Sequence, residues 1–398
     1  MVAWLLTVSR RTYPLISRKE FLRKILFVFA GGAVAYATPL VAAVKYDSFF
    51  IASFIPLQIL VQRILVLADG GFQNGLQTII LNKKFGFSVW TLISLYAFVC
   101  LFVLILVLFS INYWSLTSVS AILNPGLVVY FYAVWLSNLT VKFTDFHSNK
   151  AFLEIIKICV RITPLILLLL DFGITFAFAS VSVYCVVLLG YALYKSRFKK
   201  IITIFKAYFP RLFYVAKNIY PIQMVCSLIV ITIWNLIIDN FNENDLFIIT
   251  SAIYVANIFG FLNNGLMPFK LRAIKLMNIN PFILYLVDLL SISLLFLLLY
   301  FGIEIFQIDS MQVGITAFSY FLILGTTLHQ SSGSVLIYLL DAVIYYKSAA
   351  VITFLQLLFL VYFISATVEV SHIYIYFVAT PMLGFMLDIF MQRRLKSK

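Results

Sequence analysis

Lys150, Glu154, Lys157 and Arg161 recur at i, i+4, i+7 and i+11. That spacing places all four on one face of a helix, while Ile155, Ile156, Cys159 and Val160 take the others. With a rise of 1.5 Å per residue, Arg161 lies about 15 Å above the start of such a helix. Charges carried so far into an apolar span need water or protein around them. The stripe therefore predicts a water-filled, electropositive cavity open to the cytoplasm. The alternative starts the helix near Ile162 and leaves the stripe on an interfacial segment. Only the nine residues 162–170 then remain before Asp171, fewer than the ~20 a spanning helix takes.

Other charges stand inside apolar runs. Arg63 is the one charge within 49–68. It either faces a polar interior, as an isolated intramembrane charge does when it is functional, or snorkels to the headgroups or pairs with Asp69 six residues on. Lys347 stands 190 residues after Lys157, while Arg161 maps onto Val351. Asp288 lies within 281–303, and Thr326-Thr327-Leu328-His329-Gln330-Ser331-Ser332-Gly333-Ser334 breaks the apolarity of 312–339. At membrane depth a run that polar sits only against protein or water. His329 is of the type that titrates near neutral pH and Asp288 can carry a proton, so both are candidates for ion coupling. The alternative for the whole run is hydrogen bonding between helices.

Asp69-Gly70-Gly71-Phe72-Gln73-Asn74-Gly75-Leu76 closes the second apolar run. It is echoed by Gly260-Phe261-Leu262-Asn263-Asn264-Gly265-Leu266. Gly70, Asn74, Gly75 and Leu76 recur as Gly260, Asn264, Gly265 and Leu266, at one offset of 190 in a chain of 398 residues. This reads as an internal duplication. Glycines and amides at the end of a membrane helix let the backbone bend and face water. Asp69, Gly70, Gly71, Asn74, Gly75, Gly260, Asn263, Asn264 and Gly265 are accordingly the candidates for a gate or hinge.

The elements that hold these residues follow from composition. With 63% hydrophobic and 11% charged residues and a mean hydropathy of +1.05, the chain has too little polar surface to dissolve, and it is expected to be an all-α integral membrane protein. Apolar runs long enough to span fall at 25–44, 49–68, 85–110, 118–140, 151–170 and 173–194, then at 219–238, 246–268, 281–303, 312–339, 344–366 and 371–391. Twelve spans thus divide into two six-helix lobes, 25–194 and 219–391. They are flanked by basic segments at 1–24, 195–218 and 392–398. With the N-terminus cytoplasmic, 27 of the 29 Lys and Arg fall on the cytoplasmic side, all but Lys45 and Arg161, as positively charged loops do. Both termini are then cytoplasmic, and residues 1–24 read as an uncleaved start because no small-residue cleavage site follows Met1–Val8.

The net charge of +14 reports orientation and contact with anionic headgroups, with nucleic acid a poor second reading. Cys100, Cys159, Cys185 and Cys226 lie within apolar spans without paired or metal-like spacing and read as packing residues. His147, His329 and His372 are too scattered for a metal site. No Gly-rich phosphate loop, outer-loop carboxylate cluster or large outer loop is present, which argues against an enzyme.

In Thr38-Pro39-Leu40, the turn Tyr46-Asp47-Ser48-Phe49 and Asp69-Gly70-Gly71-Phe72, the chain resembles the Wzx-type O-antigen flippases of the multidrug and oligosaccharidyl-lipid exporter (MATE-like) superfamily. It departs from them in a short turn after Pro39 and a late basic pair, Lys83 and Lys84. The resemblance implies a transporter of an undecaprenyl-pyrophosphate-linked oligosaccharide across the bacterial inner membrane, working by alternating access between its lobes. It needs no cofactor beyond H+ or Na+ coupling, and a polysaccharide polymerase and chain-length regulator are the implied partners besides membrane lipids. Arg63, Lys157 and Arg161 are then the residues for the pyrophosphate, in a cavity that Glu154 and Lys347 share, since Arg offers bidentate contacts and Lys a point charge. The other readings are a MATE-like small-molecule exporter and an integral membrane enzyme such as an O-antigen polymerase.

Overall fold

The computed structural model describes residues 18–46, 50–69, 87–113, 124–144, 150–196, 201–277, 280–306, 317–336, 342–365 and 368–396. Every element among them is helical: α1 (Arg18–Lys45), α2 (Phe50–Asp69), α3 (Phe87–Tyr113), α4 (Pro125–Thr144), α5 (Lys150–Leu169), α6 (Ile174–Ala179), α7 (Ser182–Lys195), α8 (Ile201–Asn240), α9 (Glu243–Met277), α10 (Pro281–Phe306), α11 (Ala317–Val335), α12 (Ala342–Ser365) and α13 (Val370–Lys396). Each of the twelve apolar runs falls on a helix, with α6 and α7 together forming the sixth. Seven spans among the described residues are long and apolar enough to cross a membrane, α6 and α7 counting as one. The chain is a multi-pass integral membrane protein.

The side-chain distribution is that of a protein dissolved in lipid. On α10, Leu286, Leu290, Leu294, Leu297 and Phe301 are exposed at helical spacing, whereas Asp288 on the opposite face is buried. On α3, Phe98, Phe102, Ile105 and Phe109 are exposed while Thr91 and Ser94 are buried. Water would reverse the two faces of α10, because apolar exposure costs about 25 cal/mol per Å² there and nothing in a hydrocarbon phase.

The chain divides into two compact units, Val34–Asp239 and a second formed by Asn240–Lys398 with Met1–Ala33. In the first, α4 is central and packs against α2, α3, α5, α6 and α7. An aromatic cluster fills its middle: Phe54 meets Phe131 at a centroid distance of 4.9 Å, and Tyr130 meets Phe178 at 5.0 Å. In the second, α11 is central and packs against α9, α10 and α13. α4 carries the fourth apolar run of the chain and α11 the tenth, and the first unit also holds the seventh run, on α8. Of the cysteines, Cys100 and Cys185 are buried and Cys159 and Cys226 half-buried, all four free.

Helix ends in the first unit are closed by side chains. Asn124 Oδ1 accepts from Gly126 N at 2.9 Å and Leu127 N at 3.3 Å, capping α4. At the end of α5, Phe172 N donates to Leu167 O and Asp171 N to Leu168 O, with Asp171 left-handed at φ 64°. This is the Schellman pattern. Lys45 Nζ completes it, donating to Leu168 O at 3.2 Å, Leu169 O at 3.1 Å and Asp171 Oδ1 at 2.7 Å, a cation at a helix C-terminus.

Two expected breaks are helical instead. The basic segment 195–218 enters α8, which runs unbroken for 40 residues, about 60 Å, through Pro210 and Pro221. Gly260–Leu266 does not close a span either, because α9 continues to Met277. The physical reason lies in its neighbours. Asn263 spends its amide sideways on α11, and a Cβ at Gly260 would lie 3.3 Å from Gln330 Nε2, so the segment is packed and has no freed backbone to expose.

Candidate functional site

The buried polar residues of the spans gather around Arg161 and Asp69 in the first unit and around Asp288 and Asp388 in the second. In the first unit, α5 begins at Lys150, so the charged stripe lies on the helix itself and the reading that started the helix near Ile162 falls away. Glu154 and Lys157 are half-buried, and Arg161 is 5% exposed. Arg161 lies within electrostatic reach of the Tyr36 and Tyr130 hydroxyls, and Lys157 of Arg161 and Glu154. Thr38 Oγ1, itself buried, stands 3.5 Å from the Arg161 carbonyl and 2.9 Å from that of Val34, tying α1 to α5 beside the cation. The innermost cation of the stripe is thus buried with two phenols within electrostatic range, and Lys157 leads from it toward the start of the helix.

Arg63 on α2 is half-buried, and the described residues hold no Arg63–Asp69 ion pair. Asp69 is the last residue of α2 and is buried, its Oδ1 accepting from the Tyr96 hydroxyl at 2.5 Å. Tyr220 of α8 donates to the Leu67 carbonyl at 3.0 Å in the same turn. Gly70, Gly71, Asn74 and Gly75 lie outside the described residues, as do the side chains of Lys347 and Asn264; Gly265 is part of α9.

In the second unit the polar run of α11 is continuous helix, and its two faces serve two networks. Thr327 and Ser331, four residues apart, face α9 and α10. Asp288 Oδ1 pairs with Lys270 Nζ at 2.5 Å, both nearly inaccessible, with side-chain exposures of 3% and 5%. Its Oδ2 accepts from Ser331 Oγ at 2.8 Å. Lys270 Nζ also donates to Asn263 Oδ1, and Asn263 Nδ2 donates to Thr327 O and Ser331 Oγ, each at 3.3 Å.

His329 and Ser332 face α13. Asp388, wholly buried, sets its Oδ2 3.0 Å from His329 Nδ1 and 2.7 Å from Ser332 Oγ, while its Oδ1 accepts from Ser348 of α12 at 2.9 Å. Gly384, one turn before Asp388, lies under the imidazole, where a Cβ would come within 2.8 Å of the ring. One turn beyond Asp388, Gln392 takes the Tyr285 hydroxyl at 3.0 Å on Oε1 and donates to the Ser332 carbonyl at 3.1 Å. The polar run therefore hydrogen-bonds between helices, the alternative its composition had left open. Asp288 and His329, grouped in the sequence as ion-coupling candidates, belong to separate networks. Lys270 and Asp388 complete these networks and sit near the basic ends of their helices, where a charge reads as part of the cytoplasmic margin.

No protein-family model and no curated protein sequence matches the chain. Solved structures do match in shape. What the helices and their buried charges define is an all-helical, multi-pass membrane protein of two compact units. Its fold is that of the MATE transporters. A multidrug resistance MATE family transporter of the MOP superfamily, in its inward-facing conformation, aligns over 94% of this chain and 95% of its own with a TM-score of 0.58 at 11% identity. A MATE protein in complex with MaL6 aligns over 94% and 96% with a TM-score of 0.56 at 12% identity. An outward-facing multidrug resistance MATE transporter gives 0.50 over 94% of each chain at 12% identity.

Proposed function

We propose that the chain is a membrane transporter that moves its cargo by alternating access, without covalent chemistry. The observation that carries this reading is the alignment of 94% of the chain onto a MATE transporter with a TM-score of 0.58. Two of the aligned proteins are multidrug resistance transporters, which supports small-molecule export over an enzyme of polysaccharide assembly. The Lys157–Arg161 stripe supports negative charge on the cargo, since a buried guanidinium beside phenols favours an anion that can accept its donors. The reading adopted is a MATE-fold exporter of an anionic amphiphile, with Arg63, Lys157 and Arg161 facing the charged end.

A second, narrower reading rests on the sequence resemblance: the anion is the pyrophosphate of a polyprenyl-linked oligosaccharide. Its sugars would pass through the protein while the lipid tail stays in the bilayer. Both readings place the termini in the cytoplasm of a bacterial cell, supported by the 27 of 29 basic residues on that side. In both, the Asp69–Gly75 and Gly260–Gly265 segments are proposed gates, the second working as a packed helical contact because α9 runs through it.

A deletion strain tests the reading. Complemented with wild type, it regains export. With Arg161→Ala it keeps the protein in the membrane and fails to export. If single lipid-linked units gather on the cytoplasmic leaflet of the deletion strain, the narrower reading stands. If those units cross normally while small anionic amphiphiles are retained in the cell, the broader one stands alone. Units that reach the outer face and fail only to be lengthened mark a polymerase and overturn both.

A further inference from the structure

A lysine seven residues before the end of a membrane helix ordinarily runs its stem toward that end and puts its ammonium in water. Lys270 does the reverse. Its helix ends at Met277, yet its Nζ reaches back two turns to Asn263 Oδ1 and across to Asp288 Oδ1 at 2.5 Å. The oxygens around it are each held by something else. Ser331 Oγ fixes the second carboxylate oxygen of Asp288 at 2.8 Å. Asn263 Nδ2 is engaged by Thr327 O and Ser331 Oγ, which turns Oδ1 to the ammonium. Thr327 Oγ1, one turn before Ser331 on the same face, is buried and has no hydrogen-bond partner, an oxygen in excess of what the lysine uses.

A carboxylate, an amide carbonyl and two hydroxyls from three helices form a donor set of hard oxygens, the kind that holds alkali and alkaline-earth cations. One carboxylate against one positive charge sets the valence at one. We propose that the Lys270 ammonium is a tethered cation filling an oxygen-lined site between α9, α10 and α11, which in its absence takes a free monovalent cation such as sodium. The tethered charge keeps this site neutral without any ion from solution. The wild-type site is therefore indifferent to sodium, and Asp288 is the counter-ion of a lysine. This inference does not depend on what the protein transports.

The test is the thermal unfolding midpoint of the purified full-length protein in sodium chloride against choline chloride at equal ionic strength. Wild type shows no sodium-specific shift. Lys270→Met is recovered in sodium chloride, and its midpoint rises by roughly 5 °C or more between millimolar and saturating sodium. Adding Asp288→Asn to it removes that response. Recovery of Lys270→Met only when sodium is present supports the proposal equally. A sodium-specific shift in wild type overturns it, as does a sodium-insensitive Lys270→Met protein, one recovered in neither salt, or a double variant that still responds. Because the readout is stability, none of these outcomes bears on the transport reading.

Discussion

Arg161, Lys270 and Asp388 are all withdrawn from solvent, and they differ in what surrounds them. Lys270 meets a carboxylate, Asp388 meets two hydroxyls and an imidazole, and Arg161 has the Tyr36 and Tyr130 hydroxyls within electrostatic range, with Lys157 and Glu154 one and two turns before it. The stripe carries two cations to one carboxylate, and this excess of positive charge is what the proposed anionic cargo would meet. Arg161→Ala and Lys157→Ala are expected to abolish export with normal membrane levels, and Arg161→Lys to recover part of it, since a point charge replaces a fork. Export assayed with immunoblotting of membranes checks this. Gly384→Ala drives a methyl into the His329 ring and separates it from Asp388, at a cost of about 1–3 kcal/mol. Gly190→Ala, which meets nothing within 4 Å, is the control and leaves the unfolding midpoint unchanged or slightly raised. Residue by residue, the sequence revealed charges stranded inside apolar runs, such as Arg161 and Asp288, because their neighbours make them conspicuous. It hid Lys270 and Asp388, because a charge near a basic helix end looks solvated until the partner helix is known.

Elements were legible where hydrophobicity decides them. Among the described residues every one of the twelve runs is helical, since a backbone in lipid has no other way to satisfy its own polar groups across a single span. Boundaries set by side-chain packing were less legible. Gly260, Asn263 and Gly265 have the composition of a helix end, yet α9 continues because α11 meets Gly260 and the Asn263 amide. Similarly, the charges of 195–218 marked a connection without revealing that α8 runs through most of it. At this scale Gly126 gives the sharpest prediction. A side chain there would overlap the Thr175 carbonyl, backbone that cannot step aside, so Gly126→Ala is expected to unfold the α4–α6 contact at a cost of about 1–3 kcal/mol. Asn124→Ala, which removes the cap but leaves the space, costs about 1 kcal/mol. Thermal unfolding in detergent ranks the two.

For the molecule as a whole, a 190-residue offset was legible in the sequence, and the chain divides into two compact units centred on α4 and α11. The units differ in chemistry. The first encloses an arginine and a half-buried lysine on α5, and the second neutralises its charges internally through Lys270–Asp288 and the hydroxyls around Asp388. The central claim, that this MATE fold carries an anionic amphiphile across the bilayer, is tested most directly in liposomes reconstituted with the purified protein. Translocation of a fluorescent anionic amphiphile is measured beside a cationic analogue of the same size, for wild type and Arg161→Ala. The account predicts that wild type moves the anion faster than protein-free liposomes do, that the cation gains little, and that Arg161→Ala removes the difference. Equal transport of both by wild type, or an Arg161→Ala protein that moves the anion as well as wild type, would contradict it.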